Sequence, residues 1–387
     1  MNRLDELIKK FCPDGVDFEK IKDVYKRLKG TPITAGKMKE IEKPNGEIRI
    51  FAGGKTVINS IESDIPKANI TRVPSVLIQS RGVIDVIYYD NPFTFKNEMW
   101  AYTHKDRIAV KYLYYVLKSK LQYLREAASG MGALPQISLA VTETLEIPFP
   151  PLPVQREIVR ILDNFTELTA ELTAELTARK KQYEYYQNIL LTCDGFNIEP
   201  VDKKLGKEIQ WLTLGEVCTL KAGKTISSTE IFHEPFGKYQ YPCFGGNGLR
   251  GYVKSYNQEG NFSLIGRQGA LCGNVCYASG KFYATEHAVV VEPKGKCDER
   301  FLYYILIAAN LNQYKTAGAQ PGLSVAKLEK VLVLIPSMSA QKRIVDILDR
   351  FDALCNDITI GLPAEIEARQ KQYEYYRDKL LSFKEKK

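Results

Sequence analysis

The sequence has 387 residues and a mass of 43.9 kDa, which is too long for one ordinary domain and predicts two or three. Hydrophobic residues make up 44% of the chain and charged residues 26%, a balance that is typical of folded globular proteins and excludes a disordered chain. The formal net charge is +8, and the excess falls on residues 1–150 (+5) and 193–336 (+3). Two separate basic blocks suit a polyanion that is contacted twice.

No apolar run approaches the roughly 18 residues that are needed to cross a bilayer. The first six residues include acids where a signal peptide needs an apolar stretch. The eight cysteines are scattered along the chain and do not form the paired framework of a small secreted domain. We therefore expect a cytoplasmic protein with free thiols, no metal site and no membrane partner.

Residues 1–150 form the first block, which is mixed in character and punctuated by glycine and proline. Short apolar runs at 76–78 and 83–89 are bounded by Gly, Pro or Asn and predict β-strands. Residues 112–124 have the apolar spacing of a helix. The block is predicted to be an α+β domain of irregular, loop-rich construction.

The segment 151–192 is predicted to be one long helix. Pro153 suits a first helical turn, and no helix breaker follows before residue 191. Its apolar residues recur at spacings of three or four and form a stripe: Ile158, Ile161, Leu162, Phe165, Leu168, Leu172, Leu176, Tyr183, Tyr186 and Leu190. At 1.5 Å per residue such a helix is roughly 58 Å long, so it needs a partner along its length.

Residues 193–336 form a second block that resembles the first. Strand-like runs occur at 262–265 and 287–291, and a helical pattern occurs at 301–313. Lys111 to Leu117 matches Arg300 to Leu306, and Leu77-Ile78 followed by Arg81-Gly82 matches Leu264-Ile265 followed by Gln268-Gly269. These weaker matches indicate that the two blocks are diverged copies.

Residues 337–387 repeat the first helix. Residues 155–165 return at 341–351, and residues 178–186 return at 368–376 with eight of nine positions identical. The chain is therefore an internal duplication. The two helices are predicted to pair as an antiparallel coiled coil, and Gly361-Leu362-Pro363 should kink or interrupt the second helix.

The sequence contains no recognisable catalytic motif. Two glycine-lysine-threonine turns, at 52–56 and 221–225, hold Arg49 and Cys218 where a phosphate-binding loop needs its first glycine. The tetrapeptide at 90–93 lacks the first proline of the motif that adenine methyltransferases use. With three histidines in the chain, neither a histidine-rich metal site nor a Ser-His-Asp triad is predicted.

Three segments resemble one known family: residues 148–159, the Thr-Ala-Glu-Leu repeats within 168–178, and Lys-Gln-Tyr-Glu-Tyr-Tyr at 181–186. Over its whole length the chain resembles the DNA-specificity subunit of type I restriction–modification systems. In the second block, residues 241–252 and 264–270 are similar to recurrent turn and Gly-Arg-x-Gly segments of that family.

The resemblance implies two target-recognition domains, at 1–150 and 193–336, separated by spacer helices at 151–192 and 337–387. It implies a non-catalytic subunit that binds double-stranded DNA and reads a bipartite target, one half-site per recognition domain. The helices would dock two methyltransferase subunits, to which restriction and translocation subunits are added. S-adenosylmethionine, ATP and Mg would then belong to the partner subunits, and this chain would hold no cofactor.

Two alternatives to a DNA-specificity subunit stay open on the residues alone. One is a structural scaffold, in which the helices hold two protein-binding domains and the positive charge is incidental. The other is a DNA-modifying enzyme whose catalytic domain has no recognisable motif. Sequence-specific DNA retention would exclude the scaffold, and methyl transfer by the isolated chain would support the enzyme.

Arginines in glycine-flanked turns are the candidates for DNA contact, since a guanidinium there can reach a phosphate or bind guanine bidentately. Arg81, Arg250 and Arg267 have this setting, and Lys55 and Lys224 are weaker candidates for phosphate contact. An ordinary solvated surface position is the alternative for each of them.

The two helices carry candidates of another kind. Each holds a cluster of aromatic residues larger than a two-helix seam can bury, and aromatics are favoured anchors at protein interfaces. The candidates for partner binding are Tyr183, Tyr185, Tyr186, Tyr373, Tyr375 and Tyr376. The Thr-Ala-Glu-Leu units at 169–176 are expected to act as a ruler, because four residues slightly exceed one helical turn.

Overall fold

The computed structural model describes residues 3–128, 134–191, 209–269, 271–295, 297–316 and 321–386. The chain divides into two compact units. Unit 1 comprises Met1–Thr173 and Ile366–Lys387, and unit 2 comprises Ala174–Glu365. None of the helices in the described ranges combines the length and the apolar character that crossing a bilayer requires.

The helices of the described ranges are numbered in chain order. They are α1 (Arg3–Phe11), α2 (Ile21–Val24), α3 (Ala35–Glu40), α4 (Arg107–Ser119), α5 (Leu121–Glu126), α6 (Leu139–Glu143), α7 (Leu152–Leu191), α8 (Leu214–Val217), α9 (Glu299–Ala308), α10 (Val325–Leu328), α11 (Met338–Asn356) and α12 (Leu362–Leu380). Short 3-10 turns lie between some of them.

The strands are numbered in the same way. Those of unit 1 are β1 (Phe18–Lys20), β2 (Lys26–Leu28), β3 (Ile48–Phe51), β4 (Val57–Ser60), β5 (Ser75–Gln79), β6 (Asp85–Tyr89), β7 (Phe93–Phe95), β8 (Trp100–Thr103) and β9 (Glu146–Pro148). Those of unit 2 are β10 (Gln210–Thr213), β11 (Cys218–Ala222), β12 (Tyr241–Gly245), β13 (Gly248–Val253), β14 (Gln258–Gly266), β15 (Val275–Ala284), β16 (Ala288–Pro293) and β17 (Leu332–Ile335).

The same sheet topology occurs in both units. Unit 1 has an antiparallel sheet in the order β2-β8-β5-β6, and unit 2 has the corresponding order β11-β16-β14-β15. In addition, β1 pairs with β9 and β10 pairs with β17. The duplication that the sequence predicts is therefore present in the fold, as two mixed α+β domains.

The two units differ in what is inserted between the second and the central strand. Unit 1 inserts β3 and β4, which form a separate three-stranded sheet with β7. Unit 2 inserts β12 and β13, which extend the main sheet because β12 pairs in parallel with β15. The candidate basic turns lie on or next to these insertions.

One helix packs on the sheet in each unit. In unit 1, α4 lies on β5 and β6, with Tyr112, Leu113 and Val116 buried in the core. In unit 2, α9 lies on β14 and β15, with Phe301 and Leu302 in the equivalent places. Each buried side chain of this size contributes roughly 1.5–3 kcal/mol, so these faces hold the helices on the sheets.

Two of the predicted helices end earlier than their apolar pattern suggests. The pattern at 112–124 is divided at Lys120 between α4 and α5, and the pattern at 301–313 ends with α9 at Ala308. Asn310 has a φ of 43°, a left-handed conformation that asparagine tolerates and that stops the helix. A single 3-10 turn follows at Leu311–Tyr314.

Helix α7 is continuous from Leu152 to Leu191, and Pro153 lies in its first turn, as predicted. Threonines on its surface bond back to the preceding turn, with Thr169 Oγ1 2.9 Å from Phe165 O and Thr173 Oγ1 2.7 Å from Thr169 O. The hydroxyls are thereby satisfied within the helix, so threonine is compatible with the repeats there.

The second copy is interrupted at the predicted place. Helix α11 ends at Asn356 and α12 begins at Leu362. The Asp357 carboxylate accepts hydrogen bonds from Thr359 N (2.7 Å) and Ile360 N (3.2 Å), which shapes the turn. A Cβ at Gly361 would lie 2.5 Å from Ala353 O, so glycine is required for this close approach.

The long helices contact each other within each unit. In unit 1, Phe165 of α7 stacks on Tyr376 of α12, with ring centroids 5.5 Å apart. In unit 2, Tyr183 and Tyr186 of α7 stack on Phe351 of α11, at 6.0 and 5.4 Å. The N-terminal part of α7 therefore packs against α12 and its C-terminal part packs against α11, which is antiparallel pairing.

Each copy of the helix is anchored at its start by the same glutamine. Gln155 Nε2 donates to Pro150 O at 2.7 Å, and Gln341 Nε2 donates to Pro336 O at 2.9 Å. Both side chains are fully buried. Buried amides need such partners, so this repeated contact fixes the entry of each helix into its unit.

Candidate nucleic-acid interface

A cleft of about 540 Å³ opens on unit 2 among the glycine-rich segments. It is lined by Gly246, Asn247, Arg250, Gln268, Gly269, His287, Pro321 and Gly322. These residues come from the hairpin of β12 and β13, the loop after β14, the residue before β16 and the segment before α10. The cleft therefore exists only when four separate parts of the chain are folded together.

Glycines allow the walls of this cleft to approach one another. A Cβ at Gly266 would lie 1.8 Å from Gly246 O, and one at Gly246 would lie 3.2 Å from Gln268 O. Gly269 has a φ of 90° and its N–H donates to Pro321 O at 3.0 Å. These glycines are therefore needed for close packing of the backbone, and the residues next to them provide the side chains that line the cleft.

The cleft displays side chains that can read or contact DNA. Arg250 is exposed on β13, and Asn247 and Gln268 are exposed beside it. Arg267 is half-buried, and its backbone N–H donates to His287 O at 3.0 Å. Arginine can bind guanine bidentately and asparagine or glutamine can bind adenine, so this set has the chemistry of major-groove recognition.

Several polar atoms near the cleft have unused hydrogen-bonding capacity. Arg267 Nε, His287 Nδ1 and Glu286 Oε2 are buried and have no hydrogen-bond partner among the described residues. Glu286 Oε1 lies 3.2 Å from His287 Nε2. Because an unpaired buried polar atom is costly, these atoms can form hydrogen bonds with a polar ligand or with water.

In unit 1, the structure brings Arg81 and Lys55 together. Gly54 N donates to Arg81 O at 3.3 Å, and a Cβ at Gly82 would lie 3.5 Å from Gly54 Cα. Both side chains are exposed. Lys55, Gly54 and Gly82 all have positive φ, so this surface consists of two tight turns that present one cation each.

The Arg81 turn occupies the same place as the cleft loop of unit 2. In unit 1, Gly82 N donates to Pro135 O at 2.9 Å and Arg81 forms an isolated antiparallel β-bridge with Gln136. In unit 2, Gly269 N donates to Pro321 O and Gln268 forms the corresponding β-bridge with Gly322. We refer to these two pairings as the clamps. Both arise at the end of the central strand of the sheet.

The clamps show that Gln268, and not Arg267, is the counterpart of Arg81. Gln268 is not among the contact candidates predicted from the sequence, although the match of Leu77-Ile78 with Leu264-Ile265 already places it opposite Arg81. Asn247 and His287 were also missed as contact candidates, because nothing in their local sequence distinguishes them from ordinary turn residues.

Lys224 does not line the cleft. Its backbone N–H donates to Ala284 O at 2.9 Å, which holds it beside the end of β15, and its side chain is exposed. The preceding Gly223 is packed so closely that a Cβ would lie 2.3 Å from Ala284 O. Lys224 therefore belongs to the surroundings of the cleft.

Four of the six tyrosines of the helix tracts stack or pack on other residues, although Tyr376 is still 41% exposed, and the other two are largely exposed. Tyr183 and Tyr186 stack on Phe351, Tyr376 stacks on Phe165, and Tyr373 packs against the unit 1 core. Tyr185 is 59% exposed and Tyr375 is 61% exposed. Burial raises the pKa of Tyr373, and burial, then Asp352, raises that of Tyr183, as expected for rings that pack against the protein.

The chain is similar to proteins of one family. The model of the type I restriction modification DNA specificity domain matches twice, at residues 13–179 and 206–368. The EcoprrI specificity subunit of Escherichia coli is 44% identical over 268 residues, which cover 66% of this chain and 64% of that subunit, less than two thirds of its length. The EcoR124I/EcoR124II specificity subunit of Escherichia coli is 35% identical over 304 residues, covering 72% of each chain.

Solved structures have the same fold. The S subunit of a type I restriction–modification system from M. genitalium matches with a TM-score of 0.67 at 21% identity, covering 95% of this chain and 96% of that one. A chain from a study of complex assembly and conformational transition of the type I system matches with a TM-score of 0.55 at 16% identity, covering 95% and 98%. With its specificity domain present twice, this chain belongs to the DNA-specificity subunit family of type I restriction–modification systems.

Proposed function

We propose that this chain reads a bipartite DNA target, with one half-site bound by residues 1–150 and the other by residues 193–336. The observation that carries the proposal is the clamp that recurs in both units. In each, a turn at the end of the central strand presents a side chain that can contact DNA, Arg81 in one and Gln268 in the other. A duplicated surface suits a target that consists of two separated parts.

Direct readout is assigned to the cleft of unit 2. Arg250, Gln268 and Asn247 contact base edges, because they are exposed around one opening and have the donors and acceptors that guanine and adenine match. Arg267 and Lys224 contact the phosphate backbone of the DNA. In unit 1, Arg81 and Lys55 take the equivalent part, and the positive charge of both blocks supplies attraction that does not depend on sequence.

The spacer helices, residues 151–192 and 337–387, dock two methyltransferase subunits, and restriction and translocation subunits join this assembly. Tyr185 and Tyr375 are the best placed of the candidate tyrosines, since they lie at equivalent positions of the repeat and are exposed. Methyl transfer and cleavage then take place on the partners. They bind S-adenosylmethionine, ATP and Mg, and this chain binds no cofactor; the assembly works in the cytoplasm.

The test is to express the chain together with the methyltransferase subunit of its own system and to sequence the methylated bases of the host genome. We expect one bipartite motif with two fixed half-sites and a nonspecific spacer of constant length. The methyltransferase subunit expressed alone is the control and should give no such motif. A motif that appears without this chain, or methyl transfer by the isolated chain, would contradict the proposal.

A further inference from the structure

A carboxylate on the long helix of unit 1 receives two contacts from the recognition block. Asp163 of α7 lies 2.8 Å from Lys111 Nζ through Oδ2 and accepts a hydrogen bond from Tyr115 OH at 2.5 Å through Oδ1. Lys111 and Tyr115 are four residues apart on α4, so both project toward α7. We call Lys111, Tyr115 and Asp163 the unit 1 latch.

Unit 2 has the same arrangement between α9 and α11. Asp349 Oδ1 lies 2.7 Å from Arg300 Nε and accepts a hydrogen bond from Tyr304 OH at 2.5 Å. The Arg300 guanidinium also reaches Asp352 at 3.3 Å. Arg300, Tyr304 and Asp349 are the unit 2 latch.

The two latches are copies of each other in the internal repeat. Lys111 corresponds to Arg300, Tyr115 to Tyr304 and Asp163 to Asp349 in the sequence alignment of the two halves. The same cation also lies over a tyrosine of the neighbouring strand in each unit, with Lys111 5.4 Å from the Tyr88 ring and Arg300 4.7 Å from the Tyr277 ring. The cation has changed type between the halves, whereas its contacts with the aspartate and with the tyrosine of the strand recur in both.

The hydrogen bonds and ion pairs of the latches hold the helices together and also favour one orientation between them. Apolar packing holds α4 and α9 on their sheets but leaves small rotations against the long helices cheap, because the hydrophobic effect has no preferred direction. Hydrogen bonds to a carboxylate are short and depend on angle. Lys111 and Asp163 have 31% and 23% of their side-chain surface exposed, and Arg300 and Asp349 have 24% and 42%, so solvent screens the unit 1 pair less than the unit 2 pair.

We propose that the two latches fix the rotation of each recognition block about its spacer helix. They thereby restrict the number of base pairs between the two half-sites. The inference rests on the proposed function and goes beyond it by naming positioning residues that touch no DNA. One extra base pair moves a half-site by about 3.4 Å and turns it by roughly 35°. A block that swings slightly on its helix can accept that change, and a latched block cannot.

The experiment uses the complex with the methyltransferase subunits and a set of duplexes that keep both half-sites and vary the spacer by one or two base pairs. For Asp163→Ala and Asp349→Ala we expect the preference for the native spacer over its neighbours to fall by about tenfold, the effect of losing one charged hydrogen bond. The bases recognised in both half-sites should stay the same.

Three further variants distinguish positioning from general stability. Lys111→Arg installs the cation that the other half uses and should keep the native preference. Asp163→Asn keeps the size of the side chain and an acceptor for Tyr115 but loses the ion pair, so it should relax spacing without unfolding. Glu6→Ala changes an exposed carboxylate on α1, which takes no part in either latch, and should have no effect.

The outcomes separate the inference from the proposed function. If the wild-type complex recognises no bipartite target, the proposed function fails and the inference fails with it. Thermal melting checks that Asp163→Asn and Asp349→Ala are folded. If the wild type is selective and these folded variants keep its spacing preference, the latches do not position the blocks. An equal loss of methylation at every spacing would also overturn the inference, because it indicates a purely structural role.

Discussion

Arg250 and Gln268 line one cleft in unit 2 and come from β13 and from the loop after β14. A side chain that reads a base is expected to affect one target position, whereas a phosphate contact affects all sequences alike. The two residue types also predict different bases, guanine for the arginine and adenine for the glutamine.

Arg250→Ala should weaken binding to the specific duplex by about 1–3 kcal/mol and relax one position of the target. If Arg81 or Arg267 contacts phosphate instead, its alanine variant should weaken specific and nonspecific binding together and reduce the salt dependence by about one charge. Fluorescence anisotropy at two salt concentrations measures both effects. Lys221→Ala, at the opposite edge of the same sheet, is the matched control. Unchanged binding for all three arginine variants would remove the site assignment.

Buried thiols give a prediction about pH. Burial raises the pKa of Cys218 and Cys297 to about 12 and that of Cys243 to about 11. At pH 8 these thiols should stay protonated, so iodoacetamide should label them far more slowly in the folded chain than in urea. Peptide mapping by mass spectrometry measures the rates, and equal rates would show that the thiols are accessible.

The same shifts predict how stability changes with pH. In the unfolded chain these thiols ionise near their ordinary value of 9.0, whereas in the folded chain they hold their protons to higher pH. The folded state therefore binds more protons between pH 9 and about 12, and the free energy of unfolding must fall as the pH rises through that range. Urea midpoints at pH 8 and pH 10 test this, and Cys218→Ala should reduce the difference.

At the scale of elements, α7 combines buried ends with an exposed middle. Between Asp163 and Leu190 it has no fully buried residue, and the Thr-Ala-Glu-Leu units lie in this stretch. A change of length there removes no core side chain. One unit of four residues shifts the far end by about 6 Å and turns it by roughly 40°, so the apolar stripe nearly keeps its facing.

Deletion of residues 169–172 should therefore shorten the nonspecific spacer of the target by at most about two base pairs, since the duplex rises ~3.4 Å per pair. Both half-sites should keep their bases. The methylome of a host that expresses the deletion variant measures the spacing. A folded variant that methylates the original spacing, or that changes the half-site sequences, would show that α7 is not a ruler.

The tyrosine tracts give a second prediction at this scale. Replacing the exposed Tyr185 and Tyr375 by alanine should weaken methyltransferase binding about 30-fold, the loss of one interface anchor worth about 2 kcal/mol. Tyr183→Phe keeps the ring that stacks on Phe351 and is the matched control. Co-purification and titration calorimetry measure the affinity. If the double variant and charge reversals at Lys181 and Lys371 leave the complex intact, the tracts are not docking sites.

At the scale of the whole molecule, the duplication predicts that the two recognition blocks act independently. Each clamp is built from residues of a single unit. Arg81→Ala should relax bases of one half-site and Arg250→Ala bases of the other. The binding energies of the double variant should add to within about 0.5 kcal/mol. Anisotropy with duplexes altered in a single half-site tests this, and strong non-additivity would indicate that the blocks are coupled.

The sequence by itself determined the duplication, the long helix, the interruption at Gly361 and the family. These features depend on local periodicity, on helix breakers and on the comparison of two segments, all of which are present in one dimension. The sequence did not predict where α4 and α9 end, because the apolar pattern continues past the last helical turn of each. The left-handed Asn310, just after α9, stops the helix.

Only the tertiary structure decided which side chains meet. It joined Gln268 to Gly322, left Tyr185 exposed while Tyr183 was stacked, and joined Lys111 to Asp163 across 52 positions of the chain. Each of these contacts depends on the register of strands and the rotation of helices that pack from distant parts of the sequence. Local patterns specify which face of an element is apolar, but packing between elements determines which polar side chains come within hydrogen-bond distance.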